Sequence, residues 1–123
     1  LSRNKILIIE DDMDLQRGLN IRLRASNYDT AFASDAVMAL SIAKKEAPDL
    51  ILLDLGLPGG DGFLVLDRMR HIASLACTPV IVVSARDPLA NEERALKAGA
   101  EAFFQKPVDN QELMKAIQRA LMR

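Results

Sequence analysis

The side chains that could do chemistry in this sequence stand where short apolar runs stop. Ile6-Leu7-Ile8-Ile9 gives way to Glu10-Asp11-Asp12, Leu50-Ile51-Leu52-Leu53 to Asp54, Val80-Ile81-Val82-Val83 to Ser84, and the stretch 102–105 to Lys106-Pro107. Carboxylates pressed together repel, and keeping them ionised is costly unless a cation sits among them, so these acids predict a divalent metal. Oxygen donors with no His or Cys in the motifs favour a hard ion such as Mg²⁺ over zinc or copper. Beside such a cation a carboxylate can attack phosphorus and form an acyl phosphate, while the metal and a lysine neutralise the phosphoryl oxygens. Lys106 offers that ammonium, and the Ser84 hydroxyl offers a donor to the transferred group. Each residue taken singly has a plainer reading: acids at 10–12 that cap a helix, a serine that ends a strand, a lysine on the surface. Capping does not explain why a second buried run also ends in an acid, Asp54.

These groups meet only if the runs are neighbouring strands of a parallel sheet, where all carboxyl ends lie at one edge. Runs 6–9, 50–53 and 80–83 lack polar alternation, as expected of central strands covered on both faces, and the last is rich in β-branched residues. Thr30 to Ala33 and Ala102 to Gln105 are weaker and are placed nearer the sheet edges. Between the runs the spacing turns helical. Leu15, Leu19 and Leu23 are four apart; Ala36, Ala39, Leu40 and Ala43 form a stripe ending before Pro48; Phe63, Leu66 and Met69 come after Gly62; Leu113, Ala116, Ile117, Ala120 and Leu121 form another stripe. All are predicted to lie against the sheet. The segment Leu89 to Ala98, opened by Pro88 and stopped by Gly99, has only Leu89 and Leu96 as large apolar residues, which predicts a loosely attached helix able to move. Met13, Met38, Met69, Met114 and Met122 fall at helical positions and read as packing, as does Cys77; His71 reads as a surface residue at the end of the third helix.

Five alternations of apolar run and amphipathic segment in 123 residues predict one α/β domain, residues 1–123, with a largely parallel sheet. The net charge of −1, with acids and bases interspersed, excludes a long-range field that would hold nucleic acid or an anionic membrane. Lys115, Arg119 and Arg123 are read as a solvated helix face. A lone cysteine forms no internal disulfide and suits a reducing cytoplasm. No apolar run approaches the roughly 20 residues that span a bilayer, and the first five residues lack a signal-like apolar region. Because residue 1 is Leu and not Met, the chain is expected to be trimmed from something longer. The loop 55–62 holds four glycines, which allow close backbone approach to a ligand, so a carbonyl there could join a metal shell. As a dinucleotide fingerprint it fails, since it comes after the third strand and lacks the G-x-G-x-x-G spacing, and no P-loop pattern occurs.

Along essentially its whole length the chain resembles the receiver domain of two-component response regulators. The matching stretches are Lys5 to Asp11, Asp54-Leu-Gly-Leu-Pro58 with Asp61-Gly62, Val83-Ser84-Ala85, and Ala98-Gly99-Ala100 leading to Lys106-Pro107. The resemblance implies a doubly wound, flavodoxin-like (βα)5 fold with strand order 2-1-3-4-5. It implies that Glu10 and Asp11 are the acidic pair for Mg²⁺, joined by Asp54 and the carbonyl of Gly56. Asp54 would be the phosphoacceptor, Ser84 the switch hydroxyl, Phe103 the switch aromatic where tyrosine is frequent, and Lys106 the family's lysine, followed by a cis bond to Pro107. Gly56 and Arg86 occupy two variable places that influence phosphoryl lifetime in the family.

The implied activity is a signalling switch. A sensor histidine kinase or histidine phosphotransfer protein offers phosphohistidine, Asp54 takes the phosphoryl group, and the domain catalyses this step and its own dephosphorylation. Ser84 and Phe103 then bias the face built from the 89–98 helix and residues 102–123, read by an output domain, a downstream protein or a second copy in a homodimer. A haloacid-dehalogenase-type phosphatase also uses a strand-end aspartate, but needs a second acid where this chain has Gly56. A degenerate receiver used only for protein contact is a further alternative, disfavoured by the complete residue set.

Overall fold

The computed structural model describes residues 3–122. Its elements alternate strictly: β1 (Lys5–Ile9), α1 (Met13–Ala25), β2 (Asp29–Ala33), α2 (Ala36–Glu46), β3 (Leu50–Leu53), α3 (Gly62–Arg70), β4 (Val80–Ser84), α4 (Pro88–Lys97), β5 (Ala102–Gln105) and α5 (Asn110–Leu121). The strands form one parallel sheet in the order β2-β1-β3-β4-β5. This is the flavodoxin-like arrangement, with the two weak strands at the edges and the three continuous apolar runs in the centre.

Period-two alternation divides the central strands between two cores. Leu7, Ile9, Leu53 and Val82 face α2, α3 and α4, whereas Ile6, Ile8, Leu52 and Ile81 face α1 and α5. Burial on both faces removes the polar alternation that a solvated strand would show. Each of these five helices starts at an aspartate N-cap, namely Asp12, Asp35, Asp61, Asp87 and Asp109, whose side chains accept backbone N–H groups of the first turn. That satisfies donors a helix start leaves free. It also sorts the acids: Asp12 caps α1, while Glu10, Asp11 and Asp54 do not serve as caps.

Several expectations need correction. Leu15 is 38% exposed, and the buried α1 residues are Gln16 and Leu23. The inward stripe is Gln16-Leu19-Leu23, at the i, i+3, i+7 spacing, so a polar side chain takes the place four-residue spacing gave to leucine. Met13, Met38 and Met122 are exposed, leaving Met69 in the core and Met114 at its margin. Cys77 is exposed rather than packed, because it lies in the turn between α3 and β4. On α4, Leu89 and Leu96 point outward and Ala95 is the one buried residue. His71 caps the end of α3 at the surface, as expected. Lys115 and Arg119 are solvated, and Arg123 lies outside the described residues.

Candidate functional site

The residues just beyond each strand build the crevice. The Asp54 N–H donates to the Ile9 carbonyl at 3.0 Å, so the first residues past β1 and β3, Glu10 and Asp54, are held side by side. The Lys106 N–H donates to the Ser84 carbonyl at 2.8 Å, which extends the β4–β5 pairing to the lysine. Lys106 then reaches across. Its Nζ lies 2.6 Å from Glu10 Oε1 and 3.3 Å from Asp54 Oδ2, bridging residues 96 and 52 positions away in sequence. The three side chains are only 16%, 5% and 8% exposed, so the ion pairs are screened far less than surface pairs. The Lys106–Pro107 peptide bond is cis, as the resemblance implied.

The remaining polar atoms of the two buried acids are also tied. Glu10 Oε2 accepts from the Asp12 N–H at 3.2 Å, and Asp54 Oδ1 accepts from the Gly56 N–H at 3.2 Å. The buried Gln16 amide donates to the Glu10 carbonyl at 3.1 Å, which pins the backbone that carries the carboxylate. Sequence reasoning missed this contact; the clue was Gln16 itself, polar at seven residues before the buried Leu23. Gly62 packs so closely that a Cβ would stand 2.5 Å from Leu55 Cα, so the start of α3 lies directly against the loop after Asp54.

Electrostatics at this edge are unbalanced. Burial pushes the Glu10 carboxyl above its ordinary range, with help from the Asp54 charge and against the hydrogen bonds from Lys106 and Asp12. For Lys106 burial works against the ammonium, but the Glu10 hydrogen bond and the charges of Asp54 and Glu10 outweigh it, so its affinity for the proton rises. One oxygen from each of Glu10, Asp11 and Asp54 lies within 4.8 Å of the others. Three carboxylates against one ammonium leave an excess of negative oxygen, and the all-oxygen donor set fits a hard divalent cation.

The other expected residues surround this centre. Ser84 is wholly buried at the end of β4, its Oγ accepting from the Arg86 N–H at 3.1 Å. Gly56 is exposed in the loop after Asp54. Phe103 pairs with Val82 in register and packs, half-buried, against the α2–α3–α4 core, with β4 between it and the strand that carries Asp54. Arg86 is engaged: its Nη2 donates to the Leu55 carbonyl at 3.3 Å and its Nη1 lies 3.5 Å from Asp61. A groove beside the crevice runs between α1 and the start of α5, lined by Leu15, Leu19, Val83 and Pro107, with Glu10 and Lys106 also in its wall.

A five-stranded parallel α/β sheet with buried acids and one lysine at its carboxyl edge is the architecture of a flavodoxin-like switch protein of the receiver kind. The sequence model of the response regulator receiver domain matches residues 6–118, and the chain belongs to that family. It is 35% identical over 119 residues to the DNA-binding dual master transcriptional regulator RpaA of Synechocystis, covering 97% of this chain and 49% of the relative. It is 33% identical over 121 residues to the DNA-binding response regulator MtrA of Mycobacterium tuberculosis, covering 98% and 52%. The chain thus spans about half the length of these curated relatives. Among solved structures it is similar to the receiver domain of the sensor histidine kinase PA1611 of Pseudomonas aeruginosa, with magnesium coordinated in the active site cleft. That match has a TM-score of 0.89 at 27% identity and covers 99% of this chain and 100% of that one. The BeF3-activated N-terminal receiver domain of Klebsiella pneumoniae RstA gives a TM-score of 0.90 at 26% identity, covering 98% and 100%. No helix among the described residues is long and apolar enough to cross a membrane.

Proposed function

We propose that this chain works as one receiver unit that takes a phosphoryl group onto Asp54 from the phosphohistidine of a histidine kinase or histidine phosphotransfer protein. The observation that carries this reading is the single ammonium of Lys106 shared between Glu10 and Asp54, both buried at the ends of adjacent strands. A fixed positive charge 3.3 Å from the Asp54 carboxylate supports a role in receiving incoming phosphoryl oxygens. In transfer, an Asp54 oxygen forms a bond to phosphorus as the phosphorus–nitrogen bond of the donor breaks, its electron pair returning to the imidazole. Lys106 holds the charge of the equatorial oxygens, and Glu10 keeps the lysine oriented while the carboxylate of Asp54 is consumed.

Mg²⁺ would be held by Glu10, Asp11, Asp54 and the carbonyl of Gly56, supplying the charge neutralisation that lets one carboxylate act as nucleophile among others. The Mg²⁺ recorded in the PA1611 receiver cleft supports this assignment by similarity. Ser84, once a phosphoryl group offers it a better partner than the Arg86 N–H, turns toward it, and Phe103 turns inward on β5. The face of α4, β5 and α5 then changes for an output domain, a downstream protein or a second copy. The domain makes no direct contact with nucleic acid in this reading, and it works in the cytoplasm, where histidine kinases are phosphorylated. Autodephosphorylation by water at the same phosphorus completes the cycle.

Incubation of the protein with phosphoramidate or acetyl phosphate and Mg²⁺, followed by intact mass, tests the proposal. One added phosphoryl group, dependent on Mg²⁺ and lost in Asp54→Asn, is expected. No addition, or addition that survives Asp54→Asn, refutes it.

A further inference from the structure

Helix α4 is anchored unlike its neighbours. Ala95 is its one buried residue, and Leu89 is 95% exposed. What it does lay against the body of the protein is a charge: the Arg94 guanidinium carbon stands 3.8 Å from the centroid of the Phe63 ring. The guanidinium of Arg86, from the loop between β4 and α4, stands 5.8 Å from the same centroid. Phe63 itself is 5% exposed, so the cations meet a largely desolvated ring, where attraction to its negative face is strongest.

Arg86 also ties this ring to the crevice. Its Nη1 lies 3.5 Å from Asp61, the N-cap of α3, and its Nη2 donates to the carbonyl of Leu55, the residue after Asp54. Its backbone N–H holds the Ser84 hydroxyl at 3.1 Å. One residue therefore links the end of β4, the loop after Asp54 and the ring on which α4 rests.

We propose that Phe63, clasped by Arg86 and Arg94, is a latch that keeps the β4–α4 loop and α4 in the resting position and that opens when Ser84 leaves the Arg86 N–H. Its trigger rests on phosphorylation at Asp54; its existence in the resting protein does not. Two guanidinium groups gathered at one ring repel each other, and Asp61, 3.5 Å from Arg86, offsets this in part, so the clasp is modest in strength and reversible. Releasing it removes a contact made only in the resting state, which shifts the population toward the state that accepts the phosphoryl group. For a partly desolvated cation–π contact that shift is roughly two- to thirtyfold.

Arg94→Met tests this, since the methionine stem still covers the ring and removes only the cation; Arg94 is exposed, so the variant should fold. Phe63→Leu removes the ring face from the other side. In the resting protein, amide exchange across 89–97 should rise by roughly two- to thirtyfold in Arg94→Met while α5 amides stay unchanged, and in Phe63→Leu, which also truncates a core residue, it should rise more in α4 than in α5. Phosphorylation by phosphoramidate should be faster by a similar factor, at unchanged Mg²⁺ affinity. Unchanged exchange in α4, or an equal rise in α5, overturns the latch. Faster α4 exchange with an unchanged phosphorylation rate overturns its coupling to Asp54. If the parent protein takes no phosphoryl group, the site reading fails and the exchange arm alone decides the latch.

Discussion

Removing the shared ammonium should expose how the crevice is balanced. In Lys106→Met the methylene stem is kept, but Glu10 and Asp54 lose the cation now 2.6 and 3.3 Å away. Breaking a buried ion pair from one side costs about 3–5 kcal/mol, because the remaining charge stays desolvated. Lys106 is 16% exposed, so water reaches the rim of the crevice, and the low end, about 3 kcal/mol, is expected. At a urea dependence of about 1.5 kcal/mol per molar this lowers the denaturation midpoint by about 2 M.

Two further responses are specific to the electrostatic cause. Lys106 binds its proton more tightly folded than unfolded, so its contribution is fully present below its ordinary value of 10.5 and is lost as pH rises through the raised folded value. At neutral pH the variant therefore shows the whole deficit. Glu10, pushed up chiefly by burial, binds protons in the folded chain above its ordinary value of 4.5, so stability falls as pH rises through that window. Without Lys106 the hydrogen bond that opposed this rise is gone, the window widens upward, and the deficit should narrow as pH is lowered from neutral toward the ordinary Glu10 value of 4.5. Mg²⁺ should also narrow it, since a cation bound only by the folded protein stabilises that state by mass action, and more so in the variant, where no ammonium competes for the Glu10 and Asp54 oxygens. Urea titrations at several pH values, with and without Mg²⁺, measure all three. A variant as stable as the parent at pH 7 without metal, or a deficit indifferent to both acid and Mg²⁺, would refute the reasoning.

Gly62→Ala would set a Cβ 2.5 Å from Leu55 Cα and 2.7 Å from the Asp54 carbonyl oxygen, and backbone cannot yield as a side chain can. A loss of about 1–3 kcal/mol together with weaker Mg²⁺ binding is expected, read by thermal melts and metal titration. Arg70 donates to the carbonyls of Ala76, Thr78 and Gly99 at 2.9, 3.1 and 3.0 Å, clipping the turn before β4 to the turn before β5. Arg70→Met should cost about 2–3 kcal/mol and speed amide exchange in both turns, and a purely local change in one of them would contradict the clip.

Much of the crevice was legible because parallel strands turn sequence pattern into position. Once 6–9, 50–53 and 80–83 read as central strands, the residues that end them had to share an edge. The capping role of Asp12 was foreseeable as an option, yet its separation from Glu10 and Asp11 was not, since three adjacent acids look alike until the first helical turn is placed. Leu15 misled for a related reason: four-residue spacing drifts around a helix, and Leu19 and Leu23 share a face with Gln16 as readily as with Leu15. For α4 the pattern held too few apolar residues to orient it, and contacts of Arg94 and Arg86 with an aromatic ring leave no periodic signal.

By itself, then, the sequence determined the alternation of strands and helices, the two-sided burial of the central strands and the set of polar groups at their ends, all properties carried by local periodicity. Only the tertiary structure decided which oxygen Lys106 approaches, which α1 residue supports Glu10 and what α4 rests on. Those depend on distances between segments far apart along the chain, and side-chain reach across a crevice is not written in any local repeat.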